Sequence, residues 1–347
     1  MSREIDALVK RQDKIATGEV KSLSVPKFDS YCICNLRGGI GKTSLAFNLS
    51  YLVDDLLVVD SCPQGNLSYF FDNQYFQRSS PSLHDMLLPY FVAGLGKASR
   101  VAQKISATNL NFVGKNNFFV AASNELYMLP YQMANALAGV RATMSGGALE
   151  TVIDNMLYSM RTEIKREQVE TGTKRCIIDT SPFFSGATHL AWHASDALII
   201  PVRTDQQSIN SFELLLSTLS SSSSEFRKTP TSDNHTPKIQ MVVLTHCGWS
   251  TSPGARNEPN QQTKVFLEMV RDVVSRNITH FTTNDPDNHI VLLDDFLGTG
   301  RISSARSNPI ERLNAGDSMT INRVRTEVNA SVEKIKNQLR FISNTLW

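Results

Sequence analysis

The chain has 347 residues and a formal net charge of +2, and 41% of its residues are apolar while 20% are charged. This composition is typical of a globular protein that buries one large core or two modest ones, and the small net charge alone identifies no class of partner. The charged N-terminus, MSREIDALVKRQDK, has no apolar segment of the secretory type, and no run approaches the roughly eighteen apolar residues of a membrane span, so neither feature is expected.

Residues 1–28 are predicted to form an N-terminal helical arm. Ile5, Leu8, Val9 and Ile15 make one apolar stripe at helical spacing, and the Val25-Pro26 step ends the pattern. We expect this arm to pack on the rest of the chain or to take part in a dimer contact, with a DNA-binding arm as the alternative.

From residue 29 to 347 the pattern predicts one α/β domain. Apolar runs alternate with helical patterns, which is the signature of a doubly wound, mainly parallel sheet with helices on both faces. Ligands of such sheets bind at the carboxyl ends of the strands. The predicted strands are Tyr31–Asn35, Leu56–Asp60, Phe118–Ala122, Cys176–Asp179, Ala197–Val202, Ile239–Thr245 and Ile290–Leu293.

A glycine-rich turn, RGGIGKTS over residues 37–44, joins the first predicted strand to a helical pattern. Its three glycines let backbone N–H groups converge on a phosphate, and the positive end of the following helix faces the same anion. Lys42 would contact the phosphates as a point charge, and the Thr43 hydroxyl would lie where a phosphate-bound Mg²⁺ needs an oxygen. The predicted cofactor-binding residues are Gly38, Gly39, Ile40, Gly41, Lys42, Thr43 and Ser44.

Two further motifs place an acid at the end of a buried strand. One is Asp60-Ser-Cys-Pro-Gln-Gly-Asn66, and the other is Asp179-Thr-Ser-Pro182. An acid at the end of a buried apolar strand is costly unless it meets a cation, which favours a magnesium environment at Asp179 over the alternative role of a helix cap.

In this order, the three motifs resemble those of the ParA/MinD family of dimeric ATPases, whose deviant phosphate-binding loop reads K-G-G-x-G-K-[ST]. Arg37 stands where that family has its signature lysine. The resemblance implies a P-loop NTPase fold and the cofactors ATP and Mg²⁺. It also implies catalytic roles for Arg37, Lys42 and Asp60, with Arg37 reaching the phosphates of a partner subunit. The implied metal-site residues are Thr43, Asp60 and Asp179.

The chain departs from the family pattern at two positions. Cys62 replaces the acid that positions and polarises the attacking water in the family, so ATP hydrolysis is expected to be slow unless Asp60 or Asp205 substitutes for it. Thr245 and His246 stand where the family often has an adenine-reading asparagine, which leaves the base contact unassigned. The tract Ser123–Leu126 is expected to be structural.

Two polar segments are predicted to be surface inserts. The first, near residues 217–237, contains TLSSSSSEFRKTPTSDNHTP and has too little apolar content to pack, which indicates a mobile loop. The second lies near residues 248–262. No histidine or cysteine cluster with metal-ligand spacing appears in the sequence.

A long C-terminal helix is predicted from Ile321 onward, with one apolar stripe that most simply packs on its own domain. Residues 301–347 hold eight Lys or Arg against four Asp or Glu. These basic residues could contact DNA phosphates. DNA is favoured over a membrane surface as a further partner because the apolar stripe is long and continuous with the preceding domain, unlike a short detachable tail. The stripe comprises Ile321, Val324, Val328, Val332, Ile335, Leu339, Ile342 and Leu346, and the flanking basic residues are Arg323, Arg325, Lys334, Lys336 and Arg340.

The resemblance therefore implies a switch that forms a homodimer on ATP, binds DNA nonspecifically and partitions DNA or positions a cargo with a small adaptor protein. Two alternatives remain: an ATP-sensing scaffold that recruits a protein with little hydrolysis, and a MinD-like positioning factor at a membrane surface. The five cysteines are odd in number and mostly lie in apolar runs, which favours reduced core residues of a cytoplasmic protein. The DNA binding that the resemblance implies would associate the protein with the nucleoid.

Overall fold

A main sheet of eight strands organises the computed structural model, which describes residues 3–78, 80–97, 100–184, 186–230, 236–251 and 257–347. The strands are β1 (Ser30–Ile33), β2 (Leu56–Asp60), β3 (Gln103–Lys104), β4 (Phe118–Val120), β5 (Arg175–Asp179), β6 (Ala197–Arg203), β7 (Lys238–Cys247) and β8 (Ile290–Asp294). A separate antiparallel hairpin consists of β9 (Ser318–Ile321) and β10 (Val324–Glu327).

The strand order across the main sheet is β3-β4-β2-β5-β1-β6-β7-β8. Every neighbouring pair is parallel except β3 with β4. All seven predicted strands are confirmed, and so is the doubly wound, mainly parallel architecture. The strand β3 was not predicted, because two residues are too few to show a periodic pattern.

Helices cover both faces of the sheet and bury its alternating side chains in two hydrophobic clusters. The helices are α1 (Arg3–Ala16), α2 (Lys42–Leu52), α3 (Asn66–Phe71), α4 (Leu83–Leu87), α5 (Leu129–Thr143), α6 (Gly146–Leu157), α7 (Ser159–Thr171), α8 (Ala187–Ala194), α9 (Gln206–Ser220), α10 (Glu225–Lys228), α11 (Gln261–Arg276), α12 (Leu297–Arg306) and α13 (Val332–Leu346). One cluster takes residues from α4 to α11, and the other takes residues from α2, α3, α12 and α13.

The N-terminal helix α1 lies against the exposed edge of the sheet. The Gln12 side chain donates to the carbonyl of Leu292 in β8 at 2.9 Å and accepts from the N–H of the same residue. Ile5 and Ile15 are buried in different clusters. Because an open strand edge presents unpaired backbone groups, this helix satisfies the edge strand and joins the two cores.

The prediction that residues 217–237 form a mobile insert is wrong for the first half of this segment. Helix α9 continues to Ser220, and the short helix α10 follows it. Phe226 is 1% exposed and packs against Trp192, so a single aromatic residue anchors a segment that otherwise looks like a polar loop. Residues 231–235 of this insert and residues 252–256 of the second lie outside the described residues.

The C-terminal helix begins at Val332, and the prediction that it starts at Ile321 is wrong. Residues 318–327 form the hairpin of β9 and β10, whose two-residue turn holds Asn322 and Arg323 at φ values of 48° and 67°. Two left-handed residues in succession are typical of a type I′ hairpin turn, for which Asn-Gly is the usual signal. Here Arg323 stands at the position where glycine is usual, so the sequence did not indicate the turn.

Helix α13 is part of the core. Val332, Ile335, Leu339, Ile342 and Leu346 are at most 2% exposed, which confirms that the apolar stripe packs on its own domain. A stripe buried in this way is not available to a membrane surface. Among the described parts of the chain, every helix is too short or too polar to span a bilayer.

Candidate functional site

The glycine-rich turn lies at the carboxyl end of β1, between β5 and β6 in the middle of the sheet. Gly39 and Gly41 have φ values of 69° and 92°, a conformation that side chains with a Cβ rarely adopt. A Cβ built on either residue would meet no atom within 4 Å, so the turn encloses open space. With α2 starting directly after Gly41, this is the geometry of an anion cradle at a helix N-terminus.

Lys42 is folded back onto the turn. Its Nζ donates to the backbone oxygen of Arg37 at 2.7 Å and to that of Asn35 at 3.3 Å. Burial lowers the pKa of Lys42, and the nearby charge of Asp179 partly opposes this effect. The ammonium group therefore lies beside the cradle, with neutral backbone carbonyls as its acceptors.

Asp179 has one oxygen that the protein does not satisfy. The Thr43 hydroxyl donates to Oδ2 at 2.7 Å, whereas Oδ1 is buried and has no hydrogen-bond partner among the described residues. Burial and the neighbouring carboxylate of Asp60 both raise the pKa of Asp179. A buried carboxylate oxygen without a donor, next to a hydroxyl, is a suitable environment for a divalent cation.

Asp60 lies beside Asp179 in the register of β2 and β5, but its oxygens are already used. Oδ1 accepts from the N–H of Cys62 at 3.1 Å, and Oδ2 accepts from both the N–H and the hydroxyl of Ser68 at 2.8 Å. Because a carboxylate offers about four acceptor positions, little capacity remains for direct contact with a cation. Asp60 therefore holds the turn that carries Cys62, and Asp179 has the free oxygen.

Cys62 is a protonated thiol at neutral pH. It is 7% exposed, and burial raises its pKa to about 11. A neutral thiol is a weak hydrogen-bond acceptor and a poor general base.

Arg37 pairs within its own chain. Its guanidinium donates to Asp205 and, at 2.6 Å, to the hydroxyl of Ser208. Burial disfavours the ionised form of Asp205, but hydrogen bonds from Arg37 and Ser208 outweigh it and hold the pKa of this carboxyl below its usual value. Asp205 also caps α9 by accepting from the N–H of Ser208 at 2.9 Å. In this arrangement Arg37 and Ser208 hold the Asp205 carboxylate, and its proposed role as a substitute water-activating acid stays a prediction.

A cavity of about 1050 Å³ opens directly from the glycine-rich turn. Thr245 and His246 lie in its wall, and the Thr245 hydroxyl donates to the carbonyl of Ile40 at 3.1 Å. The remaining wall comes from α3, the segment after β8, α12 and the hairpin. Its lining residues are Gly39, Gly41, Ser44, Tyr69, Phe70, Thr245, His246, Leu293, Asp294, Asp295, Phe296, Leu297, Gly300, Arg301, Ser304, Ala305, Ile321, Asn322, Val324 and Thr326.

The sequence predicted that the glycine-rich turn, Asp60 and Asp179 lie close together, as they do in the structure. It did not predict the part of the cavity wall that comes from the segment after β8, α12 and the hairpin. The segment Asp294–Leu297 follows the predicted strand Ile290–Leu293, so the rule that ligands bind after parallel strands already pointed to it. The contribution of α12 and the hairpin depends on tertiary packing and left no signal in the sequence.

The predicted basic surface on the C-terminal helix is wrong in its main members. Lys334 pairs with Asp294 at 3.2 Å and lies over the Trp249 ring, and Lys336 is 5% exposed and pairs with Glu333. Arg340 pairs with Glu311. In contrast, Arg323 and Arg325 of the hairpin are exposed.

Comparisons with known proteins agree with this geometry. A family model described as an AAA domain matches residues 30–230, which is more than half of the chain. Among curated proteins, none matches the sequence.

Several solved structures have a similar fold. The ATP complex of a McdA variant from Cyanothece has a TM-score of 0.57 at 16% identity, and the match covers 92% of this chain and 97% of that one. Apo McdA from Cyanothece gives 0.55 at 17% identity, covering 81% and 91%. A putative plasmid partition protein from Borrelia burgdorferi B31 bound to AMPPNP gives 0.51 at 14% identity, covering 92% and 99%.

Proposed function

This chain belongs to the AAA-domain family of ParA/MinD-type P-loop ATPases, and from that premise we propose that it is an ATP- and Mg²⁺-dependent switch. In this proposal ATP drives homodimerisation, the dimer binds DNA without sequence preference, and slow hydrolysis resets the monomer. Its role would be to partition DNA or position a cargo in the cytoplasm, on nucleoid DNA and with a small adaptor protein.

The observation that carries this proposal is the open glycine cradle beside the unsatisfied oxygen of Asp179. Backbone N–H groups of residues 38–44 would bind the phosphates, and Lys42 would move from its carbonyl acceptors onto them. Thr43 and Asp179 would hold Mg²⁺, with Asp60 contributing through water. When bound, Mg²⁺ would neutralise part of the negative charge of the phosphates. The base and ribose would occupy the adjoining cavity.

An exposed apolar surface next to the cradle supports a dimer that forms across the nucleotide. Tyr127, Met128, Tyr131 and Phe183 are between 44% and 65% exposed and lie after β4 and β5, at the sheet edge that carries the cradle. Clustered exposed apolar side chains of this size are typical of an interaction surface. A second copy of the chain, facing the first across two nucleotides, would cover it.

Arg37 couples the nucleotide to this dimer in our proposal. In the monomer Asp205 and Ser208 hold its guanidinium, so it must leave them before it can contact the phosphates of a partner subunit. Asp205 therefore stabilises the monomer. The arrangement makes dimerisation depend on the competition between one carboxylate in the same chain and the phosphates of the other subunit.

We expect Asp205→Asn to strengthen ATP-dependent dimerisation. Asparagine keeps the helix cap but removes the charge that retains Arg37. A partly exposed ion pair of this kind contributes up to about 1 kcal/mol, or roughly fivefold in the dimer dissociation constant. Analytical ultracentrifugation with ATP and Mg²⁺ measures that constant. Arg37→Ala should lose the dimer and Arg37→Lys should keep it. A wild type that stays monomeric with ATP, or an unchanged constant in Asp205→Asn, would contradict the proposal.

Hydrolysis should be slow in the wild type and faster in Cys62→Asp. Position 62 lies beside Asp60 and Asp179, where a carboxylate could accept the proton of an attacking water and the buried thiol cannot. We expect the substitution to raise the rate of phosphate release by roughly two to four orders of magnitude. Cys62→Ser is the matched control, since it removes the thiol without adding a base, and its rate should stay near that of the wild type. A fast wild-type enzyme that Cys62→Asp slows would show that another group holds the water.

DNA binding is assigned to the hairpin in this proposal. Arg323 lies at the hairpin tip in a left-handed conformation that glycine would adopt more easily, and such strain is often retained at functional positions. Arg325 and Arg301 of the adjoining α12 are also exposed. These arginines replace Lys334 and Lys336 as the expected phosphate contacts.

Replacing both Arg323 and Arg325 with alanine should weaken binding to any duplex sequence. Each lost phosphate contact lowers the slope of log affinity against log salt by about 0.9, so the double variant should lose roughly two units of slope. Fluorescence anisotropy with ATP across a salt series measures this slope. Lys228→Ala, an exposed cation on α10, serves as control and should match the wild type. Absence of DNA binding at low salt would favour the alternative function, an ATP-sensing scaffold that recruits a protein partner.

The second candidate function is an ATP-sensing scaffold that recruits a protein partner with little hydrolysis. The buried, protonated thiol of Cys62 favours it, because a chain that cannot activate water would keep ATP bound for long periods. The phosphate-release measurement separates the two candidates: the scaffold would show almost no turnover under any condition, including with DNA and adaptor present.

A further inference from the structure

We propose that His84, Asp85 and Glu125 form a binding site for a divalent transition-metal cation of the Zn²⁺ class. The site lies at the start of α4, outside the nucleotide cradle. Among the described residues these three side chains are the only such group: each offers a ligand atom within 4.8 Å of the other two. An imidazole with two carboxylates is a ligand set that zinc accepts readily and that magnesium, which prefers oxygen, does not.

The contact between His84 and Glu125 has the spacing of two ligands on one metal. Nδ1 of His84 lies 3.1 Å from Oε2 of Glu125, yet Nδ1 has no hydrogen-bond partner among the described residues, so this contact lacks hydrogen-bond geometry. Ligands bound to one metal at roughly 2.0–2.1 Å are separated by about 3.0–3.4 Å. The His84 side chain is 6% exposed, so water does not satisfy its ring nitrogen.

Gln132 favours the ring tautomer that a metal needs. Nε2 of His84 lies 3.2 Å from Oε1 of Gln132, on α5. With the proton on Nε2 and donated to this oxygen, Nδ1 carries its lone pair toward the two carboxylates. Metal-binding histidines commonly donate their other ring N–H to an oxygen in this way, which fixes the orientation of the ring.

Hydrogen bonds hold the Asp85 carboxylate and the backbone that carries Glu125 in place before any ion binds. Asp85 is part of a capping box, in which Oδ2 accepts from the N–H and the hydroxyl of Ser82 at 2.8 Å. Glu125 provides the second carboxylate, and its backbone N–H donates to the hydroxyl of Ser123 at 3.1 Å. The N–H of Leu83 donates to a carbonyl in the segment after β4, that of Ala121, at 2.8 Å. Ligands on supported backbone lose little entropy on binding.

This site is connected to the nucleotide site through one short path. The N–H of Ala122 donates to the Ser68 hydroxyl at 3.0 Å, and that hydroxyl donates to Asp60 at 2.8 Å. A cation that joins α4 to the segment after β4 would therefore brace the residues that hold Asp60. With three protein ligands the site keeps an open position, which water or a side chain of a partner would fill.

Calorimetric titration of Zn²⁺ into the nucleotide-free full chain tests the proposal. We expect one ion to bind per chain, with the affinity lowered by more than about 100-fold in His84→Ala, because removing a ligand costs more than removing an outer partner. Gln132→Ala should lower it by about 10- to 100-fold. His280→Ala, a histidine away from the site, should bind as the wild type does. Circular dichroism of each variant establishes that it is folded.

Co²⁺ supplies an independent readout. Its visible absorption reports coordination directly, and the band produced by Co²⁺ in the wild type should shift in Glu125→Gln and disappear in His84→Ala. A wild type that binds no Zn²⁺, or binding that His84→Ala leaves unchanged, would overturn the proposal and assign the three residues to an ion pair between His84 and Glu125 beside a helix cap. Because the titration contains no nucleotide, its failure would leave the ATP-dependent switch untouched.

Discussion

The structure depends on a buried carboxylate that the protein satisfies only in part. Asp179 ends the central strand β5, where the surrounding sheet and helices exclude water. One of its oxygens accepts a hydrogen bond from Thr43, and the other has no partner in the described parts of the chain. Leaving a charge in such a place is costly, and burial accordingly raises the pKa of this carboxyl. A cation that binds Asp179 together with an anionic ligand is the simplest way to offset the cost of this buried charge. The neighbouring glycine turn provides the place for that ligand, since its backbone encloses open space beside the same strand end.

Around this point, the charged groups of the site are held by the chain itself. Lys42 donates to a backbone carbonyl, Arg37 donates to Asp205 and Ser208, and Asp60 accepts a hydrogen bond from Ser68. In the proposed function, the contacts of Lys42 and Arg37 would be exchanged for contacts to phosphate. Such an exchange would give the site two arrangements, which is the physical requirement for the proposed switch. The exposed apolar side chains after β4 and β5 lie at the same sheet edge. In the proposed function, a change at the cradle would therefore reach a surface that a second copy of the chain covers.

How much of this could be predicted from the sequence follows from how local each signal is. The seven longer strands, the glycine turn and the acids at two strand ends were predictable because each rests on a few consecutive residues. The hairpin was not, because Arg323 occupies a turn position where glycine is the usual signal, and α10 was hidden because Phe226 is its one buried anchor. The pairing of Arg37 with Asp205 and the contact of Lys334 with the Trp249 ring join residues far apart in the chain, and only the folded structure brings them together. A basic residue counted in the sequence is thus no measure of a basic surface.

The central claim is that the glycine turn and its lysine bind the phosphates of ATP, and calorimetric titration of ATP with Mg²⁺ into wild type and Lys42→Ala tests it most directly. The substitution removes the side-chain ammonium of the cradle and leaves its backbone in place. We predict that affinity falls by at least about tenfold, as expected for the loss of a charge-assisted phosphate contact. Equal affinity in the two proteins would contradict the account and exclude this turn as the nucleotide site.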